Sequence, residues 1–445
     1  MTSGDRTRTA SRLAALAFTV TLVAGACAPD DDTVGESMHE TVNETAEAAA
    51  QQTTTTEATT AAETTGGAAT DGDAADGTAD ADAEPRFDLD GELPLTAAEV
   101  NDMLAFIEGQ TGREFLYKPR IVAQTRTDYE AALELHIGDQ ITDFASEAES
   151  AARLYQALGL SDQSPQELTE SVTAVMTSAD GISGYYDPDT DALYVPTDAL
   201  DDGMFRGLLV HELAHALDGQ HVDLGRIIDD MAASPEDAEL NFGRTAVVEG
   251  RATAIQFAWM QENGVLATAA DLPASLEAVP PAFLNALTLP YNFGAGWVLA
   301  NGGPAETWDA FESPPTTSEM VLFPDTPATE AVVEVATPTA DGPVIDTAQW
   351  GASSLLVWLL SEDLEPAQAE VMAGLAAADG WAGGAMVLWG DDAESCVRIV
   401  MATDGPNDLA EMEAILTDWA GEAEGRTVTT AGDEVTVTGC APFQP

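Results

Sequence analysis

The chain has 445 residues, of which 78 are acidic and only 15 are basic, and its formal net charge at pH 7 is −63. A field of this sign repels the phosphates of nucleic acids and of anionic membrane surfaces, so neither is expected as a partner. The length is sufficient for two or three domains.

The N-terminus has the pattern of a secretion signal. Arg6, Arg8 and Arg12 precede the apolar run LAALAFTVTLVAGA, which is too short for a good membrane-spanning helix and is followed by Cys27. A positive start, a short apolar core and small residues before a cysteine are typical of a bacterial lipoprotein. We therefore predict a signal peptide over residues 1–26, a lipid on Cys27, and a location on the extracellular face of the cell membrane. Attachment is expected through the lipid only, and later release from the membrane stays open.

A long acidic segment follows the cysteine. Residues 28–86 contain no aromatic residue, leucine or isoleucine and are rich in Thr, Ala, Asp and Glu. Such a segment buries too little apolar surface to offset the entropy of ordering. The sequence therefore predicts a lipid-anchored disordered linker over residues 27–90, with the folded part beginning near residue 91.

The first part of the folded region is expected to consist of helices and a short strand. Helical spacing predicts a helix over residues 95–112, and a strand with a proline interruption follows within residues 113–125. A long second helix is predicted to be capped by Thr127 and Asp128, either as one continuous helix or as two helices broken near Gly138.

Three of the five histidines lie in the stretch LLVHELAHALDGQH, residues 208–221, just after a hairpin predicted over residues 181–196. On a helix, His211, Glu212 and His215 share one face, with the two imidazoles one turn apart. Zn²⁺ favours imidazole nitrogen and lowers the pKa of its bound water, which a neighbouring carboxylate can deprotonate. This H-E-x-x-H pattern of zinc hydrolases predicts both histidines as metal ligands, Zn²⁺ as the cofactor and Glu212 as the general base.

The third protein ligand has two candidates. His221 follows His211 by ten residues, the spacing that metzincins use, but Asp218 stands where their pattern has a glycine. Glu249 lies beside the apolar stripe of a later helix, as in gluzincins, where a second helix donates a glutamate. We prefer Glu249 and keep His221 as the alternative. The two remaining histidines are expected to be solvated: His39 and His136.

Beyond the motif, the pattern predicts a helix over residues 241–264, only short helices within residues 270–345, and a buried helix over residues 351–364. The tail is predicted to contain four strands and one helix, which together form a small α+β unit. Its two cysteines, Cys396 and Cys440, are an even pair in an exported chain, which predicts a disulfide that holds the last strand.

Several segments resemble one family when they are taken together. HELAHALDGQHVDL, from His211 to Leu224, resembles the motif H-E-[LT]-[TA]-H-A-L-Q-D-Q-H-x-D-L, and GYYDPDTDALYV resembles the hairpin G-x-Y-D-P-x-T. AVVEGRA resembles A-L-V-E-G-[DE]-A, and PPTTSEMVLFP resembles P-P-x-S-T-E-Q-[IV]-L-H-P. These motifs occur in exported bacterial proteins, mostly uncharacterised, that are identified as predicted zinc metallopeptidases. The resemblance implies the ligand role for Glu249.

The chain departs from these family motifs at three positions. Gly219 stands where the family tends to have aspartate, Arg251 where it tends to have an acid, and Phe323 where it has histidine. The first two positions bear on the support of the metal ligands and so on catalytic efficiency more than on metal binding.

These observations predict a secreted lipoprotein that acts as a zinc metallopeptidase on a peptide or protein substrate. The expected fold is α+β and zincin-like: predominantly helical, with a small sheet next to the active-site helix. A zincin-like domain is expected over residues 91–345, and a C-terminal helical and α+β region over residues 346–445. Tyr186 and Tyr291 are candidates to stabilise the oxyanion. Two alternatives stay open: a catalytically inactive surface protein that zinc stabilises, and a zinc amidase that acts on cell-wall peptides.

Overall fold

The computed structural model describes residues 85–198, 203–265, 276, 278–327, 332–361, 368–421 and 423–445. The predicted signal peptide, Cys27, His39 and most of the predicted linker lie outside these residues. The fold is mixed α+β with 53% helix and 17% strand, so the prediction of a predominantly helical α+β protein is confirmed. Within the described ranges, no helix combines the length and the apolar character needed to cross a membrane.

A four-stranded sheet forms the N-terminal side of the molecule. Its strands are β1 (Asp88–Asp90), β2 (Arg120–Gln124), β3 (Tyr185–Asp187) and β4 (Ala192–Pro196), in the order β1-β2-β4-β3. β2 is parallel to both β1 and β4, whereas β3 and β4 form the predicted antiparallel hairpin. Because β1 belongs to this sheet and Phe87 is buried, the folded part begins before residue 91 and the predicted linker ends too late.

Three helices accompany this sheet: α1 (Ala97–Thr111), α2 (Arg126–Leu158) and α3 (Pro165–Met176). The first confirms the helix predicted over residues 95–112. The second begins earlier than predicted, because Thr125 is its N-cap and accepts a hydrogen bond from the Asp128 amide. It also continues through Gly138, whose neighbours Ile137 and Ile141 pack on the core, so the prediction of one continuous helix is confirmed and the alternative of a break near Gly138 is wrong.

The described residues continue with four helices: α4 (Gly203–His221), α5 (Leu224–Ala233), α6 (Ala238–Glu262) and α7 (Pro281–Ala300). The prediction of only short helices within residues 270–345 is wrong, because α7 has 20 residues despite Pro290 inside it. Close packing against α6 stabilises this helix. A Cβ atom on Gly294 would lie 2.4 Å from the carbonyl oxygen of Ala246, so only a glycine permits this approach.

The chain then passes through a 3₁₀ turn (Trp308–Phe311) and α8 (Ser318–Leu322) into a five-stranded antiparallel sheet of order β5-β6-β7-β9-β8. The sheet and the helices between its strands follow in this order along the chain: β5 (Val344–Gln349), α9 (Ala352–Leu359), α10 (Gln368–Asp379), β6 (Trp381–Gly390), β7 (Glu394–Thr403), α11 (Pro406–Ala420), β8 (Thr427–Ala431) and β9 (Glu434–Pro442). Cys396 and Cys440 face each other on β7 and β9 and form the predicted disulfide. The predicted order of strands and helix in the tail is confirmed.

Two large hydrophobic clusters hold these layers together. One contains apolar residues of α1, the first sheet, α4 and α6. The other joins α2 and α3 to α7, α9 and the second sheet. Because this second cluster includes residues from Tyr129 to Val437, the two predicted domains share one core, and their predicted boundary between residues 345 and 346 falls inside β5.

Candidate metal centre

Two neighbouring helices bring three predicted ligands together. His211 and His215 lie one turn apart on α4, and Glu249 lies on α6, which packs along α4. The Nε2 atoms of the two histidines are 3.0 Å apart, and Oε2 of Glu249 is 3.2 Å from that of His211 and 3.4 Å from that of His215. All three side chains are buried. The structure thus assembles one of the two predicted ligand sets.

A fourth polar side chain fixes the orientation of His211. Its Nδ1 lies 3.2 Å from Oε1 of Gln256, which is also on α6. Because an amide oxygen only accepts, this contact favours the tautomer with the proton on Nδ1, which would leave the lone pair of Nε2 for a metal ion. Gln256 was not predicted from the sequence. The available signal was its spacing of seven residues from Glu249, which places both side chains on the same face of a helix.

The charges in this cluster favour a bound cation. Burial opposes the charged form of His215, yet the neighbouring Glu249 carboxylate raises the pKa of this histidine to about 9, with help from Glu212 and Asp218. Burial likewise opposes the charged form of Glu249, but the two histidines lower its pKa overall. The carboxylate therefore stays ionised where two imidazole nitrogens converge on it.

Zinc fits this arrangement. In tetrahedral coordination with bonds of about 2.0–2.2 Å, ligand atoms are separated by about 3.3–3.5 Å, close to the 3.0–3.4 Å seen here. Two nitrogens and a carboxylate oxygen are also the donor set of catalytic zinc sites. Oε1 of Glu249 and Nδ1 of His215 are buried without a hydrogen-bond partner among the described residues. The donor set and its spacing are therefore compatible with a bound zinc ion.

The predicted general base lies beside the ligands. Glu212 is buried, and it lines a small cavity together with His215. The same cavity is lined by side chains of the hairpin, α5 and α6: Tyr186, Pro188, Leu224, Ile228 and Val248. A carboxylate and a candidate metal ligand thus face one common space, as a water-activating site requires.

The two candidate oxyanion stabilisers occupy different positions. Tyr186 lines the cavity, but its hydroxyl donates to Oδ1 of Asp191 at 2.7 Å. Tyr291, on α7, is buried with its ring stacked on that of His211, and burial together with the Glu249 carboxylate raises its pKa well above the ordinary value. Tyr291 therefore contacts the ligands themselves. A role for either tyrosine at an oxyanion stays a prediction.

The alternative ligand His221 lies outside the cluster. Its Nε2 is 2.9 Å from the carbonyl oxygen of Glu114, and its ring contacts Trp308. The preceding Gln220 accepts hydrogen bonds from the amides of Leu116 and Tyr117. These two residues at the end of α4 therefore hold the loop of residues 113–118, and the structure does not support His221 as a ligand of the same metal ion.

His136, which was expected to be solvated, is only partly exposed. Its ring is half-buried and stacks on Tyr185 with the centroids 4.5 Å apart.

Gly219, one of the departures from the family motif, lies against Tyr186: a Cβ atom at this position would be 2.7 Å from the tyrosine hydroxyl. Glycine here therefore makes room for the aromatic wall of the cavity.

Comparisons of the chain with protein-family models, with curated proteins and with solved structures give no match. The resemblance to exported zinc metallopeptidases stays a prediction, as does the zincin-like character of the fold. The residues of the site are therefore the basis for assigning a function.

Proposed function

We propose that the protein is a zinc-dependent hydrolase that cleaves peptide bonds. The observation that carries this proposal is the convergence of His211 Nε2, His215 Nε2 and Glu249 Oε2 within 3.0–3.4 Å of one another, beside the buried Glu212. These three side chains would hold the ion. When bound there, zinc would supply Lewis acidity and lower the pKa of a water molecule.

Other side chains of the protein would orient a ligand, transfer the proton and line the cavity. Gln256 keeps the His211 ring in the tautomer that leaves Nε2 free. A carboxylate oxygen of Glu212 accepts the proton of the attacking water and delivers it to the leaving amine nitrogen. The apolar residues Leu224, Ile228 and Val248 form one wall of the cavity and limit the entry of bulk water.

The arrangement also fits an extended peptide as the substrate. Among the described strands, β3 pairs only with β4, so it is an edge of the first sheet, and Tyr186 from β3 lines the cavity. An extended peptide can pair with such an edge through main-chain hydrogen bonds, but all three residues of β3 are buried, so this edge would have to open before a peptide could bind. The ligand set supports catalysis over a structural role, because structural zinc sites usually have four protein ligands and His221 is held elsewhere.

The proposal is tested by Glu212→Gln, which removes the base and keeps the shape of the side chain. We expect the variant to bind zinc like the wild type and to lose at least about 100-fold in the rate of peptide hydrolysis. Glu262→Gln, at an exposed position of α6, is the matched control and should keep full activity. Protein and muropeptide substrates are assayed in parallel.

Full hydrolytic activity of Glu212→Gln would refute the assigned base. Zinc binding without hydrolysis of any substrate by the wild type would favour the inactive, zinc-stabilised surface protein. Cleavage of muropeptides alone would favour the cell-wall amidase.

Export, lipid attachment through Cys27 and release from the membrane belong to the same proposal. The lipid is tested by mass spectrometry of the mature N-terminus.

A further inference from the structure

Arg251 is a charged side chain that is completely buried in the interior of the protein. Its Nε and Nη2 donate to the two carboxylate oxygens of Asp218 at 3.2 and 3.0 Å, which is a bidentate ion pair. Its Nη1 donates to Thr307 Oγ1 at 2.8 Å and to the carbonyl oxygen of Pro304. The guanidinium also lies against the ring of Trp308, 4.2 Å from its centroid. Four of its five N–H donors thus have partners.

The position of this ion pair relates it to the metal ligands. Asp218 follows His215 by three residues on α4, and Arg251 follows Glu249 by two residues on α6. The pair therefore joins the two ligand-bearing helices within one turn of the ligands. Through Pro304 and Thr307 it also joins the segment that leaves α7, the helix that places Tyr291 against the cluster.

A buried ion pair fixes the relative orientation of its partners more than it stabilises the fold. Apolar side chains of similar volume often replace such pairs with no loss of stability, because they avoid the cost of desolvating two charges. A bidentate guanidinium–carboxylate contact, however, fixes both the distance and the relative rotation of its partners. A site made of one histidine pair from α4 and one carboxylate from α6 needs both of these quantities to be fixed.

We propose that Arg251 and Asp218 are a positioning pair that sets α4 and α6 so that Glu249 Oε2 meets the two histidine nitrogens. This role rests on the proposed zinc site. Arg251 stands where the resembling family tends to have an acid, and in this chain the buried Asp218 neutralises it. The pair therefore supports the ligand geometry without contacting the ligands.

The test compares zinc affinity with the stability of the metal-free protein. The variants are Arg251→Met, Asp218→Leu, the double variant, and the conservative Arg251→Lys. Arg226→Met is the control, because Arg226 forms its ion pairs with Asp230 and Glu312 at a more exposed position. Zinc dissociation constants are measured by competition with a chromophoric chelator, and unfolding is followed in urea without metal.

Each single variant leaves a buried charge unpaired, and we expect both a lower unfolding midpoint and a 10- to 100-fold weaker zinc affinity, on the order found for residues that orient metal ligands. In the double variant the midpoint should recover, while zinc affinity stays about 10-fold or more below that of the wild type. Thr307 Oγ1 keeps its bond to the carbonyl oxygen of Gly303, so only Pro304 loses a partner. Arg251→Lys should keep the charge and still bind zinc more weakly.

A double variant that regains both stability and zinc affinity would overturn the positioning role and leave a purely structural one. The same holds if the single variants bind zinc as tightly as the wild type and Arg226→Met do. A wild-type protein that binds no zinc would instead overturn the proposed function, and the positioning role with it. The two failures are therefore distinguishable.

Discussion

Replacing Gly294 with alanine tests the packing of α7 on α6, the part of the fold on which the placement of Tyr291 depends. The new Cβ atom would lie 2.4 Å from the carbonyl oxygen of Ala246 and 3.0 Å from its carbonyl carbon and Cα. These are backbone atoms, so no side chain can rotate away. Reaching an ordinary contact of about 3.4 Å requires the helices to separate by roughly 1 Å.

The energetic consequence has two parts of opposite sign. Overpacking of this kind costs about 1–3 kcal/mol, and a clash with backbone lies at the upper end of that range. Alanine regains up to about 1 kcal/mol of helix propensity relative to glycine. We therefore expect Gly294→Ala to lower the free energy of unfolding by about 2 kcal/mol.

Gly296→Ala is the matched control on the same helix. Nothing lies within 4 Å of a Cβ atom at Gly296, so its substitution should raise the free energy of unfolding by about 0.5–1 kcal/mol. Urea unfolding of the metal-free variants measures both effects. Zinc affinity should fall only for Gly294→Ala, because Glu249 and Tyr291 lie on the two helices that separate. Equal stabilisation by both substitutions would refute the close crossing of α6 and α7.

Three further predictions follow from the structure. Replacing both Cys396 and Cys440 with serine removes a crosslink between residues 44 apart, which should lower the free energy of unfolding by roughly 4 kcal/mol; a loss below about 1 kcal/mol in urea unfolding would contradict it. Burial lowers the pKa of His136, so below about pH 6.5 the unfolded state binds more protons than the folded state and the free energy of unfolding falls. His136→Asn should flatten this dependence of the free energy of unfolding on pH. An unchanged pH dependence would exclude the burial of His136. His221→Ala should leave zinc affinity unchanged and speed amide exchange in residues 113–118, whereas weaker zinc binding would return His221 to the ligand set.

The local patterns that predicted elements correctly were those in which one periodicity dominated. The hairpin around the Asp-Pro-Asp-Thr-Asp turn, the helix of the H-E-x-x-H motif and the alternating strands of the tail each have a strong local signal. The ligand triad could also be predicted from the sequence. His211 and His215 share a helix face by spacing alone, and Glu249 was preferred for its position beside an apolar stripe, a choice that the resemblance supported.

The elements that sequence reasoning missed depend on tertiary contacts. Helix α7 contains Pro290, Gly294 and Gly296, all poor helix formers, and its length reflects packing on α6 that no local pattern shows. The continuation of α2 through Gly138 likewise depends on tertiary packing, because Ile137 and Ile141 pack on the core. The strand β1 was missed because it has only three residues and pairs with a strand about 30 residues later.

The polar partners of the site were hidden for the same reason. Arg251 and Asp218 are 33 residues apart, and the sequence shows only an arginine where the family tends to have an acid. Gln256 has an ordinary helical position, and only the structure shows that its amide oxygen faces His211. A residue that supports a ligand thus leaves a weaker sequence signal than the ligand itself.

The most direct measurement is the zinc content of the purified protein by elemental analysis, for the wild type and for the variants Glu249→Ala and His221→Ala. The site described here predicts about one zinc ion per chain in the wild type and in His221→Ala, and loss of zinc in Glu249→Ala. Retention of zinc by Glu249→Ala with loss in His221→Ala would contradict the ligand set. A wild-type protein without zinc would contradict the metal centre as a whole.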